Sequence, residues 1–510
     1  MSASASVLEP PPPRQAWEEP PVEGWGSHLG GVGREILALL AGLLAAVGAW
    51  RCFGLAQRLD ASGGERGTFT DLLVVSLWGA SFTLAAVLAV VLWRVGGGLA
   101  IVTAMLTDQG RVARFGGRPP IWLDEPPPGG LRIAHLTDLH ITEAENVRCA
   151  ERNVPGGNRA FAALLERPEL READVIIVTG DVTDRGTDLS WQRVREAIMG
   201  AGLSDRIVLV PGNHDLALID PWGGWRDPAR HWRRSDRFGI VQLANLLKFC
   251  ETFAVTLGGK TGWVLKGGAP VKFQEAFAAC EKEVRALVHT LPEQPIPRQG
   301  LGSGFFARKR AFRAYHLRIA RARNRLLALF PVAVLLPGNR GVLFVVNSCT
   351  PVARHPATNA LGHVGRAQHR RLDKLAALFA EPLKLVALHH HVVRRSEELS
   401  HGLRKRIVAK LTVLDDALPL VRFCRKYNVR AVLHGHRHLS YQLRLPNGTV
   451  LLAAPSSTMG DQLAHDPRPQ FERYDVAAES VEPSVGVFRR VVHLAPMTAA
   501  ATPPSLPSQG

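Results

Sequence analysis

Several short apolar runs along the chain each end in a cluster of polar residues. The runs are rich in Val, Ile and Leu, and some follow stretches with helical periodicity, such as residues 158–167 and 415–427. This alternation predicts an α/β fold in which polar side chains gather at strand ends. The runs and the clusters that follow them are LRIAHL before TDLH, DVIIVT before GD, RIVLVP before GNHD, LKLVAL before HHH, and VRAVL before HGHRH.

Two longer apolar stretches precede these runs. Residues 72–93 contain no charged side chain, and the stretch is longer than the roughly 20 residues that span a bilayer core. Residues 36–56 are interrupted only by Arg51. We expect two transmembrane helices, and the alternative is a signal peptide followed by a buried helix. The flanking arginines favour a topology in which both termini lie in the cytoplasm. The catalytic domain would then face the cytoplasm, and the expected location is a bacterial inner membrane, which the protein crosses more than once.

Changes in composition divide the chain. Proline and small residues dominate the start, and glycine and proline mark a joint before Leu131. The predicted organisation is a disordered tail at 1–34, the two membrane helices within 35–94, a linker at 95–130, a catalytic domain at 131–480 with a basic insertion at 245–335, and a closing strand with a disordered tail at 481–510.

The overall composition is that of a folded protein. Hydrophobic residues make up 46% of the chain, which excludes a wholly disordered protein. The 62 Lys and Arg exceed the 45 Asp and Glu and give a formal net charge of +17. The six cysteines show no C-x-x-C spacing, so we expect free thiols rather than a zinc site or a disulfide framework.

The polar clusters contain residue types that bind metals. Asp138 and His140 are two positions apart at one predicted strand end, where a sharp bend would aim both side chains at one ion. Carboxylate and imidazole ligands suit a divalent ion such as manganese, iron or zinc. The candidates are Asp138, His140, Asp181, Asn213, His214, His389, His390, His391, His436 and His438.

The ordered motifs resemble those of the calcineurin-like metallophosphoesterase superfamily. The matching segments are LTDLH at 136–140, TGDVTDRG at 179–186, VPGNHD at 210–215, LHHH at 388–391 and LHGHRH at 433–438. The resemblance implies a four-layer fold, with a two-layer β-sandwich flanked by helices. It also implies two divalent metal ions, with Mn²⁺, Fe²⁺ or Zn²⁺ as candidates.

The resemblance also implies roles for single residues. Asp181 would bridge the two ions, and His214 would stabilise the transition state or protonate the leaving oxygen. His390 is an alternative to His389 as a ligand. The first ion would be held by Asp138, His140 and His438, and the second by Asn213, His389 and His436.

The expected activity is hydrolysis of phosphodiester bonds by a metal-bridging hydroxide. The AAPSST stretch at 453–458 makes the chain look most similar to class III cyclic nucleotide phosphodiesterases, although Val392 and Val393 stand where those enzymes carry a proline. One alternative is hydrolysis of a phospholipid or of a nucleotide-linked sugar lipid, such as a lipid A precursor. Another is a membrane scaffold that binds metal without catalysis.

The basic segment at 307–330 predicts an amphipathic helix. No acidic residue occurs between Glu293 and Asp373. The helix would bind membrane lipid, or it would expose a charged face while its apolar face packs on the core. Nucleic acid is not expected as a partner, because stacking aromatic residues are lacking, and no sequence feature indicates an oligomeric state. The predicted apolar stripe is Phe312, Tyr315, Ile319, Ala322 and Leu326.

Overall fold

The computed structural model describes most of the chain from residue 119 onward. The described residues are 119–149, 154–216, 228–290, 317–349, 361–393, 412–461, 465–477 and 487–494. Both predicted membrane segments and both predicted tails lie outside them. Among the described residues, no helix combines the length and the apolar character needed to cross a bilayer.

Two β-sheets form the centre of the described structure. The strands are β1 (Leu131–Leu136), β2 (Val175–Val178), β3 (Ile207–Leu209), β4 (Gly262–Lys266), β5 (Ala269–Lys272), β6 (Val332–Leu335), β7 (Gly341–Val345), β8 (Leu383–Ala387), β9 (Ala431–His434), β10 (Tyr441–Arg444), β11 (Val450–Ala453), β12 (Gln470–Val476) and β13 (Val487–His493). One sheet has the order β13-β12-β1-β2-β3, and the other has the order β10-β11-β9-β8-β7-β6-β4-β5.

The strands that precede the polar clusters are parallel neighbours. In the five-stranded sheet, β1 pairs in parallel with β2, and β2 pairs in parallel with β3. In the eight-stranded sheet, β7, β8 and β9 are parallel in the same way. The carboxyl ends of neighbouring parallel strands lie at the same edge of a sheet, so each sheet presents its polar clusters along one edge.

Helices cover the sheets. They are α1 (Asn158–Leu165), α2 (Pro168–Arg171), α3 (Asp188–Gly200), α4 (Asn213–Leu216), α5 (Pro228–Leu257), α6 (Phe273–Thr290), α7 (residues 317–327), α8 (Arg366–Ala376) and α9 (Ala417–Lys426). Most are amphipathic; in α9, for example, Leu420 and Cys424 are buried while Arg425 is exposed. The helices therefore cover the sheets with their apolar faces.

The eight-stranded sheet separates two hydrophobic cores. Leu343 and Val345 of β7 belong to the larger core, which also contains side chains of β1 and β2. Val342 and Phe344 point the other way, into a smaller core formed with α8 and α9. Because successive side chains of a strand alternate between its faces, one face of this sheet meets the other sheet and the opposite face meets helices. The expected α/β fold is confirmed.

The segment predicted as an insertion is part of the main core. Strand β4 joins the eight-stranded sheet by pairing with β6. Phe249 and Phe253 of α5 contact Phe330, and all three side chains are fully buried. Sequence patterns did not indicate this, because the aromatic residues that join these elements are far apart in the chain.

The predicted basic helix is present as α7, and its apolar face lies in the larger core. On the opposite face Arg318 and Arg321 are exposed. The described residues thus show a solvated charged face over a packed apolar face, so any lipid contact by α7 would have to use its charged side. The buried stripe consists of Ile319, Ala322 and Leu326. The remaining predicted positions lie outside the described residues: Phe312 and Tyr315.

Two smaller predictions also agree with the structure. The alternating segments FERYDV and GVFRRVVHL form most of β12 and β13, which pair antiparallel. The sheet that contains β1 therefore continues beyond residue 480. The five cysteines in the described residues are free thiols.

We predict that Leu326→Ala destabilises the protein because Leu326 is fully buried in the larger core. The free energy of unfolding should fall by about 2–5 kcal/mol, as is usual for such truncations. Chemical denaturation of the two proteins measures the difference. The control Arg321→Ala lies on the exposed face of the same helix and should change stability by less than about 0.5 kcal/mol. Equal effects of the two substitutions would contradict the packing of α7.

Candidate metal centre

The predicted ligands stand where strands of the two sheets end. Asp138 and His140 follow β1, Asp181 follows β2, Asn213 follows β3, His389 follows β8, and His436 and His438 follow β9. Six of the seven side chains are buried and the seventh, His436, is half-buried. The contacts described below bring them together in two groups, as strand-end topology leads one to expect.

Five of these seven residues have a left-handed backbone. The φ angles are 52° at Asp138, 50° at His140, 49° at Asp181, 83° at His436 and 53° at His438. Such a conformation costs a non-glycine residue about 1–2 kcal/mol. It persists where the surrounding structure holds the chain in place, which is common at functional sites. Backbone strain in the loops after these strands therefore falls on the predicted ligands.

Asp138, His140 and His438 form the first group. The Nε2 atoms of His140 and His438 are 3.1 Å apart, and His438 Nε2 lies 3.6 Å from Asp138 Oδ1. Ligand atoms that bind one tetrahedral ion at about 2.0 Å stand about 3.3 Å from each other. The spacing of these atoms thus fits a single metal ion. The resemblance assigns the same three residues to the first ion.

The second group surrounds His389 Nε2. This nitrogen lies 3.2 Å from Asp181 Oδ2, 2.9 Å from Asn213 Oδ1 and 3.1 Å from His436 Nδ1. One nitrogen therefore faces three potential ligand atoms at distances typical of a metal site. The four residues are those that the resemblance assigns to the second ion and to the bridge.

The hydrogen bond on the other side of His389 shows that a cation fits this group. His389 Nδ1 lies 2.8 Å from the carbonyl oxygen of Thr179. A carbonyl oxygen only accepts hydrogen bonds, so Nδ1 carries the proton. In a neutral ring Nε2 then presents a lone pair to the oxygens of Asp181 and Asn213. A metal ion among these atoms, or a second proton on His389, relieves the repulsion.

The pKa values of the second group have the same cause. Burial alone would lower the pKa of His389, but the Asp181 carboxylate raises it to about 9. Burial alone would raise the pKa of Asp181, yet His389 and His214 hold it well below its usual range. A proton on His389 therefore balances the negative charge of the Asp181 carboxylate, as a bound cation would.

Asp181 also interacts with the first group. The charges of His389 and His140 both act to lower the pKa of Asp181. The negative charge of Asp181 in turn acts to raise the pKa of Asp138. Its contacts to ligand atoms are with the second group. The bridging role remains a prediction.

His390 belongs to neither group of ligand atoms. Its Nδ1 lies 2.9 Å from Ser348 Oγ, and the ring packs against His436 at 4.4 Å between centroids. Burial lowers its pKa well below the usual value, so the ring is neutral. The geometry favours His389, directly after the strand, as the ligand from the histidine triplet.

His214 lies beside the ligands without joining either group. Its backbone N–H donates to Asp181 Oδ1 at 2.8 Å. Its Nδ1 lies 3.0 Å from the carbonyl oxygen of Asp184 and therefore carries a proton. Its Nε2 is 3.9 Å from Asp181 Oδ2. The ring is thus held with Nε2 toward the centre.

Asp184 is a site residue that the sequence analysis missed. Its buried carboxylate lies 3.8 Å from both His140 Nδ1 and His214 Nδ1, and it accepts a hydrogen bond from Arg185. The sequence offered one signal, since Asp184 follows Asp181 by three residues in the same loop. Arg185 itself is 57% exposed and stands at the rim of the site.

Asp215 holds two ligand loops together. Its Oδ1 accepts from the backbone N–H of Thr183 at 2.8 Å, and its Oδ2 accepts from the N–H of Gly212 at 2.9 Å. The loop after β2 is thus tied to the loop after β3. Burial, and then the neighbouring Asp181, raise the pKa of Asp215 to about 6.

Serines of the AAPSST stretch form hydrogen bonds with the backbone of the loop that carries the first group. Ser456 Oγ donates to the carbonyl oxygen of Asp138 at 2.7 Å, and Ser457 Oγ accepts from the N–H of Thr137 at 3.1 Å. Ser348 Oγ plays a similar part in the second group, because it accepts from the N–H of His389 at 3.2 Å. These hydroxyl groups fix the backbone at the ligands rather than the ligands themselves.

The family comparison agrees with this geometry. Residues 131–306 match the family model described as calcineurin-like phosphoesterase. This part of the chain is therefore similar to the calcineurin-like phosphoesterase family, and the predicted resemblance is confirmed. The match includes the strand ends after β1, β2 and β3, whereas the histidines after β8 and β9 lie beyond it.

Individual proteins are similar over shorter stretches or at low identity. A 3',5'-cyclic-nucleotide phosphodiesterase of Nostoc sp. is 31% identical over 90 residues, which are 17% of this chain and 32% of that protein. A protein named probable cyclic nucleotide phosphodiesterase, from Coxiella burnetii, is 31% identical over 85 residues, again 17% and 32% of the two chains. The chain thus spans about a third of the length of these curated relatives. The structural alignment with a dimetal phosphatase of Danio rerio has a TM-score of 0.33 at 10% identity. It covers 72% of this chain and 99% of the Danio rerio chain.

We predict that Gly212→Ala disrupts the second group. A Cβ atom at Gly212 would collide with the backbone and the carboxylate of Asp181. Bound metal per chain, measured by inductively coupled plasma mass spectrometry, should fall together with turnover. The matched control is Gly200→Ala at the end of α3, where an added Cβ meets nothing within 4 Å. Full metal content in the Gly212 variant would show that Asp181 can move without loss of binding.

Proposed function

We propose that the protein hydrolyses phosphodiester bonds at a centre of two divalent metal ions. The observation that carries the proposal is the convergence of two ligand groups, whose potential ligand atoms lie 2.9–3.6 Å apart within each group. Carboxylate, amide and imidazole ligands without cysteine suit manganese, iron or zinc.

The proposed ligand sets follow the two groups. Asp181 would contact both ions, since its carboxylate interacts with His389 and His140. Two bound ions would polarise the phosphoryl group and activate water for in-line displacement. The protein's own part is to hold the ligands in fixed positions. The first set is Asp138, His140 and His438, and the second set is Asn213, His389 and His436.

His214 is the proposed proton donor to the leaving oxygen. The carbonyl oxygen of Asp184 fixes the proton on Nδ1, so Nε2 is the atom that can give and take a proton on the side of the ligands. An imidazole can both donate and accept a proton, which suits this task. Arg185, at the rim, is positioned to meet a substrate phosphate, and its link to Asp184 couples it to His214.

A phosphodiester is favoured over a phosphomonoester as substrate. The curated Nostoc and Coxiella proteins are named as cyclic nucleotide phosphodiesterases. The AAPSST stretch, on which the resemblance to class III cyclic nucleotide phosphodiesterases rests, contacts the loop of the first group. A phospholipid or a nucleotide-linked sugar lipid is the second candidate, which the predicted membrane segments favour. A metal-binding scaffold without catalysis is the third.

Membrane anchoring belongs to the proposal. It rests on the uncharged residues 72–93 and on the apolar residues 36–56. In this arrangement the phosphoesterase domain faces the cytoplasm beside the inner membrane, and its substrate is soluble or is held in the lipid layer.

We predict that Asp181→Asn removes diester hydrolysis. An amide lacks the negative charge that holds two cations, so turnover should fall by more than about 100-fold, which corresponds to about 2.7 kcal/mol. The assay compares bis(4-nitrophenyl) phosphate with 4-nitrophenyl phosphate in the presence of manganese. The control Asp466→Asn alters a carboxylate that pairs with Arg468 and belongs to neither ligand group, so it should leave the rate unchanged.

Each outcome of this assay is informative. Diester turnover that depends on Asp181 supports the proposal and justifies a comparison of cyclic nucleotides with phospholipids. Full activity of the Asp181 variant would sink the assignment of two ions. Absence of turnover in the metal-loaded wild type on soluble esters and on lipids would favour the scaffold.

We predict a separate outcome for His214→Ala. Metal content should stay at the wild-type level, because His214 belongs to neither ligand set, while kcat should fall by about 10²–10⁴-fold from the loss of proton transfer. The measurement pairs metal analysis with steady-state kinetics. His493→Ala, at a partly exposed histidine near Asp466, is the control. An unchanged kcat would exclude His214 from the reaction.

A further inference from the structure

A third cluster of His and Asp side chains lies outside the proposed centre. His363 precedes α8 and His369 lies within it, while Asp415 and Asp416 precede α9. Their side chains are 12–21% exposed, so the cluster is sheltered but within reach of solvent. The proposed reaction uses none of these four residues.

The spacing of the cluster is that of a ligand set. His363 Nδ1 lies 2.8 Å from Asp415 Oδ1 and 3.6 Å from Asp416 Oδ2. His369 Nε2 lies 3.2 Å from the same Oδ2 atom of Asp416. These separations match the 2.9–3.6 Å found within the two groups of the phosphoesterase centre. The ligand atoms of His363, Asp415 and Asp416 all lie within 4.8 Å of one another, and His369 stands beside this set through its contact with Asp416.

Helix capping accounts for only part of this arrangement. Asp416 caps α8, because its two oxygens accept from the N–H groups of Val364 at 3.0 Å and Gly365 at 2.7 Å. Asp415 does not serve as a cap for that helix, yet its carboxylate is sheltered beside that of Asp416. Two neighbouring carboxylates of this kind gain from a cation between them.

We infer that His363, Asp415 and Asp416 bind a third divalent ion of borderline softness, such as Zn²⁺, with His369 as a positioning residue for Asp416. Three protein ligands leave one position of a tetrahedral ion to solvent. The ion would join the start of α8 to the start of α9, two helices that cover the smaller core.

The backbone of the cluster is bonded to the loop of the histidine triplet. The N–H of Leu414 donates to the carbonyl oxygen of His391 at 2.8 Å, and the N–H of His363 donates to that of Ser348 at 2.8 Å. Ser348 in turn accepts from the N–H of His389. The third ion would therefore stiffen the support of the second ligand group without sharing a ligand with it.

Metal counting on the full-length protein tests the inference. Wild type, His363→Gln/His369→Gln and the control His493→Gln are stripped with a chelator, reloaded with zinc, desalted and measured by inductively coupled plasma mass spectrometry. The double variant should hold one ion fewer per chain than wild type and the control. The same site should remain loaded in Asp181→Asn, so its occupancy is independent of the proposed reaction. Equal zinc content in wild type and the double variant would overturn the inference.

A second measurement covers the case in which the double variant fails to fold. Crystals of the zinc-loaded wild-type protein, measured on both sides of the zinc absorption edge, should show an anomalous peak between the His363 ring and the two carboxylates. Peaks confined to the other two ligand groups would also overturn the inference.

Discussion

The centre depends on hydrogen bonds from the backbone N–H groups of one ligand loop to a neighbouring ligand loop. The N–H of Asp138 donates to Gly180 O at 3.0 Å, and the N–H of His140 donates to Asp181 O at 2.9 Å. His436 N donates to Asp138 Oδ2 at 2.9 Å. Each loop is thus a partner of a neighbouring loop, and this mutual support offsets the cost of the left-handed backbones of five residues. The close approach admits no side chain at Gly435, where a Cβ would collide with Thr137 and Asp138.

Much of this centre was accessible from the sequence because its geometry follows from topology. An apolar run that ends in Asp, Asn or His marks both a strand and the edge at which it ends, and parallel strands share that edge. Supporting residues such as Asp184, Ser348 and Ser456 carry no such mark. The serines act through contacts to the backbone of distant segments, and a serine next to a strand looks the same whether or not it makes them. Asp184 acts through the imidazoles of His140 and His214, which no local pattern places beside it.

The region of residues 245–335 shows the opposite limit. Periodicity identified the buried face of α7 through Ile319 and Leu326, because a helix repeats every 3.6 residues. It did not identify the partner of that face, since a lipid surface and a protein core select the same apolar side chains. The contacts of Phe330 with Phe249 and Phe253 show that this region packs in the protein core. They join segments that lie too far apart in the sequence for a local pattern to relate them.

Strand β13 has a consequence for association between molecules. It lies at the edge of the five-stranded sheet and completes the hydrogen bonding of β12. An edge strand offers unpaired N–H and C=O groups to any neighbouring chain, and charged side chains on that strand discourage such pairing. β13 carries Arg489 and the exposed Arg490. A fragment that ends before residue 487 would leave β12 as a bare template for strand addition, and such a fragment would tend to self-associate in concentrated solution.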